Sequence, residues 1–292
     1  MPNTADKWTT RTLLDWIAGA FTGRDLESPR LSAEILIAHV LKTERLRLYM
    51  DPDRPASPAE RETLRDLVKR ALAHEPIQYL TGEGWFFGMP FTCDARALIP
   101  RPSSETIVEH LLQHARREDA GPLRRVADVC TGTGCIAVAL AKNLPGATLL
   151  ATDVSQAALD LAASNAERHD VAPRVTFTQG NLLEPLAGET DLDAIVSNPP
   201  YIPDHEWSAV EPNVKDHEPH LALRGGADGL DLVRPLFAGV ARHLRPGGWA
   251  VVEVAASHAH EAAKLATDAG LTDVIILQDH EGLDRVIAGR KP

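Results

Sequence analysis

The chain has 292 residues, 44% of them apolar and 24% charged, enough to bury a sizeable core in one large domain or two unequal ones. A net charge of −11 argues against a broad non-specific nucleic-acid footprint, which would need a basic stripe. No apolar run approaches the ~18 residues of a membrane span, and the opening MPNTADKWTTR is polar with no apolar leader. Cys93, Cys130 and Cys135 match neither a disulfide framework nor a zinc spacing, and His258 and His260 have no second ligand pair nearby. A reduced, cytoplasmic protein with no metal site and no membrane attachment is expected.

Three amphipathic segments come first. TRTLLDWIAGAF (10–21) sets Leu13, Leu14, Ile17 and Phe21 at helical spacing. SPRLSAEILIAHVLK (28–42) offers Ser28 as a cap with Pro29 at the first helical position. SPAERETLRDLVKRALAHE (57–75) starts the same way, and Ser57 with Glu60 forms a capping-box pattern. Residues 1–75 therefore read as a small helical bundle. From 76 to 100, aromatic and β-branched residues alternate with glycines, as in a hairpin that serves as a linker. In IPRPSSETIVEHLLQHAR, Ser103 or Ser104 would cap a helix running to about 117.

Strand and helix patterns alternate through the rest of the 101–292 domain. RRVADVC, ATLLATD, RVTFTQG, LDAIVS and WAVVEVA read as strands, and helices fall between most of them. GLDLVRPLFAGVARHL reads as one helix stopped by RPGG, and a last helix (258–269) precedes the strands TDVIILQ and DRVIAG. Repeated β-α-β order predicts an α/β domain with a mostly parallel sheet covered on both faces, and the final pair puts an antiparallel strand at or near an edge.

In such sheets ligands sit beyond the C-terminal strand ends at the switch point. DVCTGTGC lies there on the first strand, and Gly132 and Gly134 permit a tight turn with close approach to backbone amides at a helix start. The next strand ends in Asp153, about 20 residues on, where a carboxylate can accept both hydroxyls of an adenosine ribose. Ala137 is tolerated at the third position of a dinucleotide fingerprint, so counting glycines does not choose the nucleoside. Asn181 and Leu182, past the third strand, could hold an adenine edge and face, which suits S-adenosylmethionine.

Past the fourth strand comes Asn198-Pro199-Pro200-Tyr201, whose prolines stop the strand and stiffen the turn. The Asn198 side-chain carbonyl and the Pro199 backbone carbonyl, held rigid by Pro200, are two convergent acceptors matched to a planar –NH2 group. Tyr201 supplies a flat face for that group. Such a nitrogen is a poor nucleophile because its lone pair is delocalised. Fixed acceptors on its two N–H bonds favour positive charge there during attack and orient the lone pair, so no strong general base is required.

Together EPIQYLTGE, LIPRPSSETIVE, DVCTGTGCIAVAL, ATDVSQAAL, IVSNPPYIP, EPHLALRGGADGLDLVR, LRPGG and GLDRVIAG make the chain resemble the peptide chain release factor N5-glutamine methyltransferase family. The resemblance implies a Rossmann-like, seven-stranded S-adenosylmethionine-dependent methyltransferase domain behind a small helical domain that helps hold the protein substrate. That substrate would be the glutamine of the Gly-Gly-Gln tripeptide in bacterial class I release factors, with no direct nucleic-acid substrate. Carried over by position, Cys130, Thr131, Gly132, Thr133, Gly134, Asp153, Asn181, Leu182 and Asn198 bind the cofactor. Asn198, Pro199, Pro200 and Tyr201 bind the glutamine amide and form the catalytic set, and Arg101 of the IPRP linker closes over the methyl donor. The chain departs from the family at Pro102-Ser103-Ser104-Glu105, usually Pro-Glu-Thr-Glu, at Cys130, usually glycine, at Asn181, often aspartate, and at VVEVAAS, in place of a LEIG-like strand end. A related branch modifies a ribosomal protein. DNA adenine methyltransferases share the NPPY tetrapeptide, but this chain has no extra target-recognition domain. An oxidoreductase would leave NPPY unexplained, and a degenerate binding module would show damage at the glycines, Asp153 or Asn198.

Overall fold

A computed structural model describes residues 8–24, 26–117 and 121–292, so the polar stretch 1–7 lies outside the described residues. The first elements are helices: α1 (Thr10–Thr22), α2 (Pro29–Leu41), α3 (Arg45–Met50), α4 (Pro58–Ala71) and α5 (Ile77–Thr81). A hairpin of β1 (Glu83–Phe86) and β2 (Met89–Thr92) follows, then α6 (Glu105–Ala115). The alternating part runs β3 (Arg125–Val129), α7 (Cys135–Asn143), β4 (Thr148–Asp153), α8 (Gln156–Arg168), β5 (Val175–Gln179) and β6 (Leu192–Ser197). After the short α9 (Pro212–Lys215) come α10 (Val233–Val240), β7 (Leu244–Glu253), α11 (Ala259–Asp268), β8 (Thr272–Gln278) and β9 (Asp284–Arg290). The chain divides into two compact units after Gly82, with 212–217 belonging to the first.

In the first unit Leu13, Leu14, Ile17 and Phe21 of α1 are all buried, together with Leu36, Ile37, Leu64 and Val68. Truncating Phe21, which is wholly buried, would cost ~3–5 kcal/mol. The capping box on α4 forms as its spacing requires: Glu60 N–H donates to Ser57 Oγ at 3.2 Å, and Ser57 N–H donates to the Glu60 carboxylate at 2.7 Å. The Arg54 guanidinium on the same carboxylate is the main reason its pKa falls to about 2. Ser28 does not cap α2. It sits in the left-handed region at φ 46, whereas a capping residue needs extended backbone, and Pro29 alone starts the helix. Within the stretch read as hairpin and linker, 77–81 is a helix ended by Gly82, and strands occupy 83–92 only, turning through Phe87 and Gly88, both at positive φ.

The second unit carries a seven-stranded sheet in the order β5-β4-β3-β6-β7-β9-β8. The first five are parallel, β9 runs antiparallel to β7, and β8 runs antiparallel to β9 at the edge. The chain moves outward from β3 through β4 to β5, then crosses to β6 on the other side, so the switch point lies between β3 and β6. Every residue of β6 is buried, the pattern of a central parallel strand covered on both faces. Two helix expectations change. The span read as one helix from Gly229 is shorter, because Pro235 is confined to the first turn of α10, which opens at Val233. RPGG is part of β7, not a helix stop: Gly247 takes φ 74, and the register against β6 shifts there as in a bulge.

Candidate active site

The loop after β3 is shaped by buried polar groups. Asp128, with no solvent exposure, accepts from Thr131 Oγ1 at 2.6 Å and from the Ala137 N–H at 3.1 Å. Burial pushes its pKa up to about 7. Thr131 N–H donates to the Thr152 carbonyl of β4 at 2.9 Å, so the loop is stitched to the neighbouring strand. Cys130 and Gly132 turn the chain at φ 62 and 56, and Gly134 begins α7 at φ 78. A Cβ on Gly134 would come within 2.9 Å of the Ala162 Cβ, while one on Gly132 would meet nothing within 4 Å. Gly134 thus permits helix α8 to pack close, and Gly132 borders open space. The side chain of Asn165, wholly buried on α8, donates to the Thr133 carbonyl at 3.0 Å and exchanges two hydrogen bonds with the backbone of Thr92 in β2.

Asp153 ends β4 beside this loop. One carboxylate oxygen accepts the Gly132 N–H at 2.9 Å and the other the Ser155 N–H at 2.9 Å, which leaves lone pairs on both for a further donor. Burial raises its pKa, and these N–H donors oppose the rise. Asn181 and Leu182 follow β5, with Leu182 at φ 48.

Past β6, Asn198 Nδ2 donates to Ser104 Oγ at 2.9 Å, and no hydrogen bond is made to its Oδ1 among the described residues. Tyr201 donates its hydroxyl to Glu253 Oε1 at 3.4 Å, and burial drives the phenol pKa upward. The tetrapeptide is held from behind by backbone pairing of Ile202 with Leu223 and Gly225. Arg101 forms an ion pair with Glu218, a buried carboxylate that also accepts the Ile99 N–H at 2.9 Å. Ser104 is the last residue of a 3-10 turn (Pro102–Ser104) and does not cap α6; its hydroxyl donates instead to Glu253.

One open-mouthed cavity gathers most of these groups. The glycine-loop residues Cys130, Thr131, Gly132 and Thr133 line it, as do Asp153, Asn181 and Leu182. Arg101, Asn198 and Pro200 complete its wall, whereas Gly134, Pro199 and Tyr201 are not part of the lining. A carboxylate with spare lone pairs, open space beside a glycine, and apolar walls from Ile136 and Leu182 fit an adenosine-bearing cofactor. Glu218, Glu253 and Ser104 escaped the sequence reading as site residues. For Glu253 a signal existed: a carboxylate closing an apolar strand cannot be buried without donors.

Residues 12–82 match the family model for the PrmC N-terminal domain, and residues 102–227 match that for the methyltransferase small domain. The release factor glutamine methyltransferase of Geobacter sulfurreducens is 42% identical, with 97% of each chain covered. That of Chlorobaculum tepidum is 38% identical over 95% of this chain and 96% of its own, and that of Xylella fastidiosa (strain Temecula1) is 43% identical over 90% and 94%. Among solved structures, the hMettl16 catalytic domain superposes with a TM-score of 0.54 at 19% identity, covering 70% of this chain and 77% of its own. The human methyltransferase 10 domain containing protein gives 0.51 at 19% identity over 70% and 90%. At that identity these two structures speak to the fold alone.

Proposed function

The chain belongs to the release factor glutamine methyltransferase family, and from that premise we propose that it methylates the side-chain amide nitrogen of the Gly-Gly-Gln glutamine in class I release factors. S-adenosylmethionine is the methyl donor, and it supplies an electrophilic methyl group when bound. The Asp153 carboxylate would accept from ribose hydroxyls, Asn181 and Leu182 would bracket adenine, and residues 130–133 of the glycine loop would border the remainder of the cofactor. Arg101, paired with Glu218, forms the rim on that side.

The observation that carries the reading is the Asn198 side chain. Its amide nitrogen is committed to Ser104, its oxygen is left for a donor, and it lines the same cavity as Asp153. Asn198 Oδ1 and the Pro199 carbonyl take the two amide hydrogens of the glutamine, which favours positive charge on that nitrogen as it attacks. Tyr201, its hydroxyl tethered to Glu253, packs against the amide plane. The helical unit holds the rest of the protein substrate, and the reaction takes place in the cytoplasm.

The test is to supply methyl-labelled S-adenosylmethionine with release factor, ribosomal protein or unmethylated DNA in separate reactions. Label on the release factor glutamine is the expected result. Label confined to ribosomal protein would move the substrate to the related branch, and label only in DNA would overturn a protein substrate.

A further inference from the structure

Glu253 closes β7 with no solvent exposure, and it is hydrogen-bonded to the cavity lining through Ser104. Three hydroxyls are turned onto it. Ser104 Oγ donates to Oε2 at 2.5 Å, Ser103 Oγ to Oε1 at 2.9 Å, and the Tyr201 hydroxyl to Oε1 at 3.4 Å. A serine hydroxyl has one hydrogen. Once Ser104 spends it on a carboxylate, which can only accept, its oxygen can only accept from Asn198. The Asn198 amide is then obliged to present Nδ2 to Ser104 and Oδ1 to the cavity.

We infer that Glu253 and Ser104 are positioning residues for methyl transfer: the carboxylate fixes the direction of a hydrogen-bond chain that aims Asn198 Oδ1 at the substrate amide. The inference rests on the proposed role of Asn198. The chain also polarises. A donor bond from Nδ2 to an oxygen that itself leans on a negative charge enhances amide resonance and makes Oδ1 a stronger acceptor. That strength is wanted as positive charge builds on the substrate nitrogen. Ser104 is well placed to transmit it, because the Ser104 N–H is anchored on the Arg101 carbonyl at 3.1 Å and the side chain is buried. Ser103 gives the carboxylate a second donor.

Glu253→Gln keeps the shape but breaks the direction. Its amide can donate to Ser104, which frees the serine hydrogen to point at Asn198 and lets that amide flip. Ser104→Ala removes the link, and Ser104→Thr keeps the hydroxyl. The experiment measures kcat at saturating S-adenosylmethionine and release factor, the cofactor Kd by calorimetry, the thermal midpoint, and the NMR side-chain amide resonances of Asn198, identified by their loss in Asn198→Asp. Ser104→Ala and Glu253→Gln should each lower kcat about 10-fold, on the scale of losing an orienting partner behind a functional group, with cofactor Kd within about twofold of wild type. Ser104→Thr should keep most of the turnover. The double variant Ser104→Ala/Glu253→Gln should be no worse than about the weaker single one, because both cut one chain. The Asn198 resonances should shift in Ser104→Ala and stay in Ser104→Thr. Wild-type kcat in both single variants, multiplying losses in the double variant, or unmoved Asn198 resonances in Ser104→Ala would each overturn the inference. A wild-type protein inactive on release factor would sink the proposed substrate alone, since the resonances still report whether Ser104 holds Asn198.

Discussion

At the ends of β3 and β4 the cleft is made largely of main chain, whereas past β6 and β7 it is made of side chains that hold one another. Gly132 and its neighbours shape the cleft through left-handed turns, and Asp153, which accepts the Gly132 N–H, lies 21 residues away. Asn198, by contrast, is oriented by Ser104, 94 residues earlier, which leans on a carboxylate 149 residues later. The first half depends on its backbone path and on Asp153. The second depends on every partner. Substitutions in the two halves should therefore fail differently, the first through cofactor affinity and the second through turnover.

The largest effect should come from the side-chain half. Asn198→Ala is expected to lower kcat by about 10²-fold or more, the scale of losing one fixed hydrogen-bonding group at a developing charge, with little change in cofactor Kd by calorimetry. A weakened Kd with normal turnover would reverse the division. In the other half, Asp153→Ala should raise the cofactor Kd by about 10- to 100-fold, as expected for a lost hydrogen bond to a charged group, while kcat at saturation stays within a few-fold. Gly134→Ala tests the backbone itself: positive φ and the 2.9 Å approach to Ala162 should cost ~1–3 kcal/mol in denaturant unfolding and loosen cofactor binding with it.

The smallest effect lies outside both halves and supplies a control for acid sensitivity. His110 on α6 packs its ring 4.7 Å from Trp249, near His114, and burial lowers its pKa from 6.5 to about 4. The unfolded chain takes up this proton as pH falls through 6.5, and the folded protein takes it up only near 4. Stability is thus full above 6.5 and declines between 6.5 and 4. At pH 6 the loss relative to pH 8 should be just under ~1 kcal/mol, and His110→Leu should remove it in urea titrations at the two pH values. An equal loss in the variant would place the acid sensitivity elsewhere.

The same contrast explains what could be read from the residues alone. The glycine loop, Asp153 and the NPPY turn are local signals, each legible in a few neighbouring residues because backbone geometry demands them. The α/β alternation was legible for the same reason, since each strand and helix announces its own period. Glu218 was not legible as a site residue, and Glu253 only as a carboxylate in need of donors, because the partners that make them matter lie more than a hundred residues away. RPGG misled because proline and glycine stop a helix and kink a strand equally well, and only the pairing of β7 with β6 decides between them. Ser28 and Ser104 misled as caps for a related reason. A serine before a helix can cap it only if its backbone is extended there, and Ser104 had a buried carboxylate to serve instead.

Asn165 has a kinetic consequence. With its amide bonded at once to Thr133 in the glycine loop and to Thr92 in the hairpin, neither segment can open without leaving the buried Asn165 amide short of a partner. The two should exchange their backbone hydrogens with solvent as one cooperative unit. A nucleoside arriving at the cleft then meets a cradle already set, and its association rate should follow diffusion and access rather than the folding of a loop.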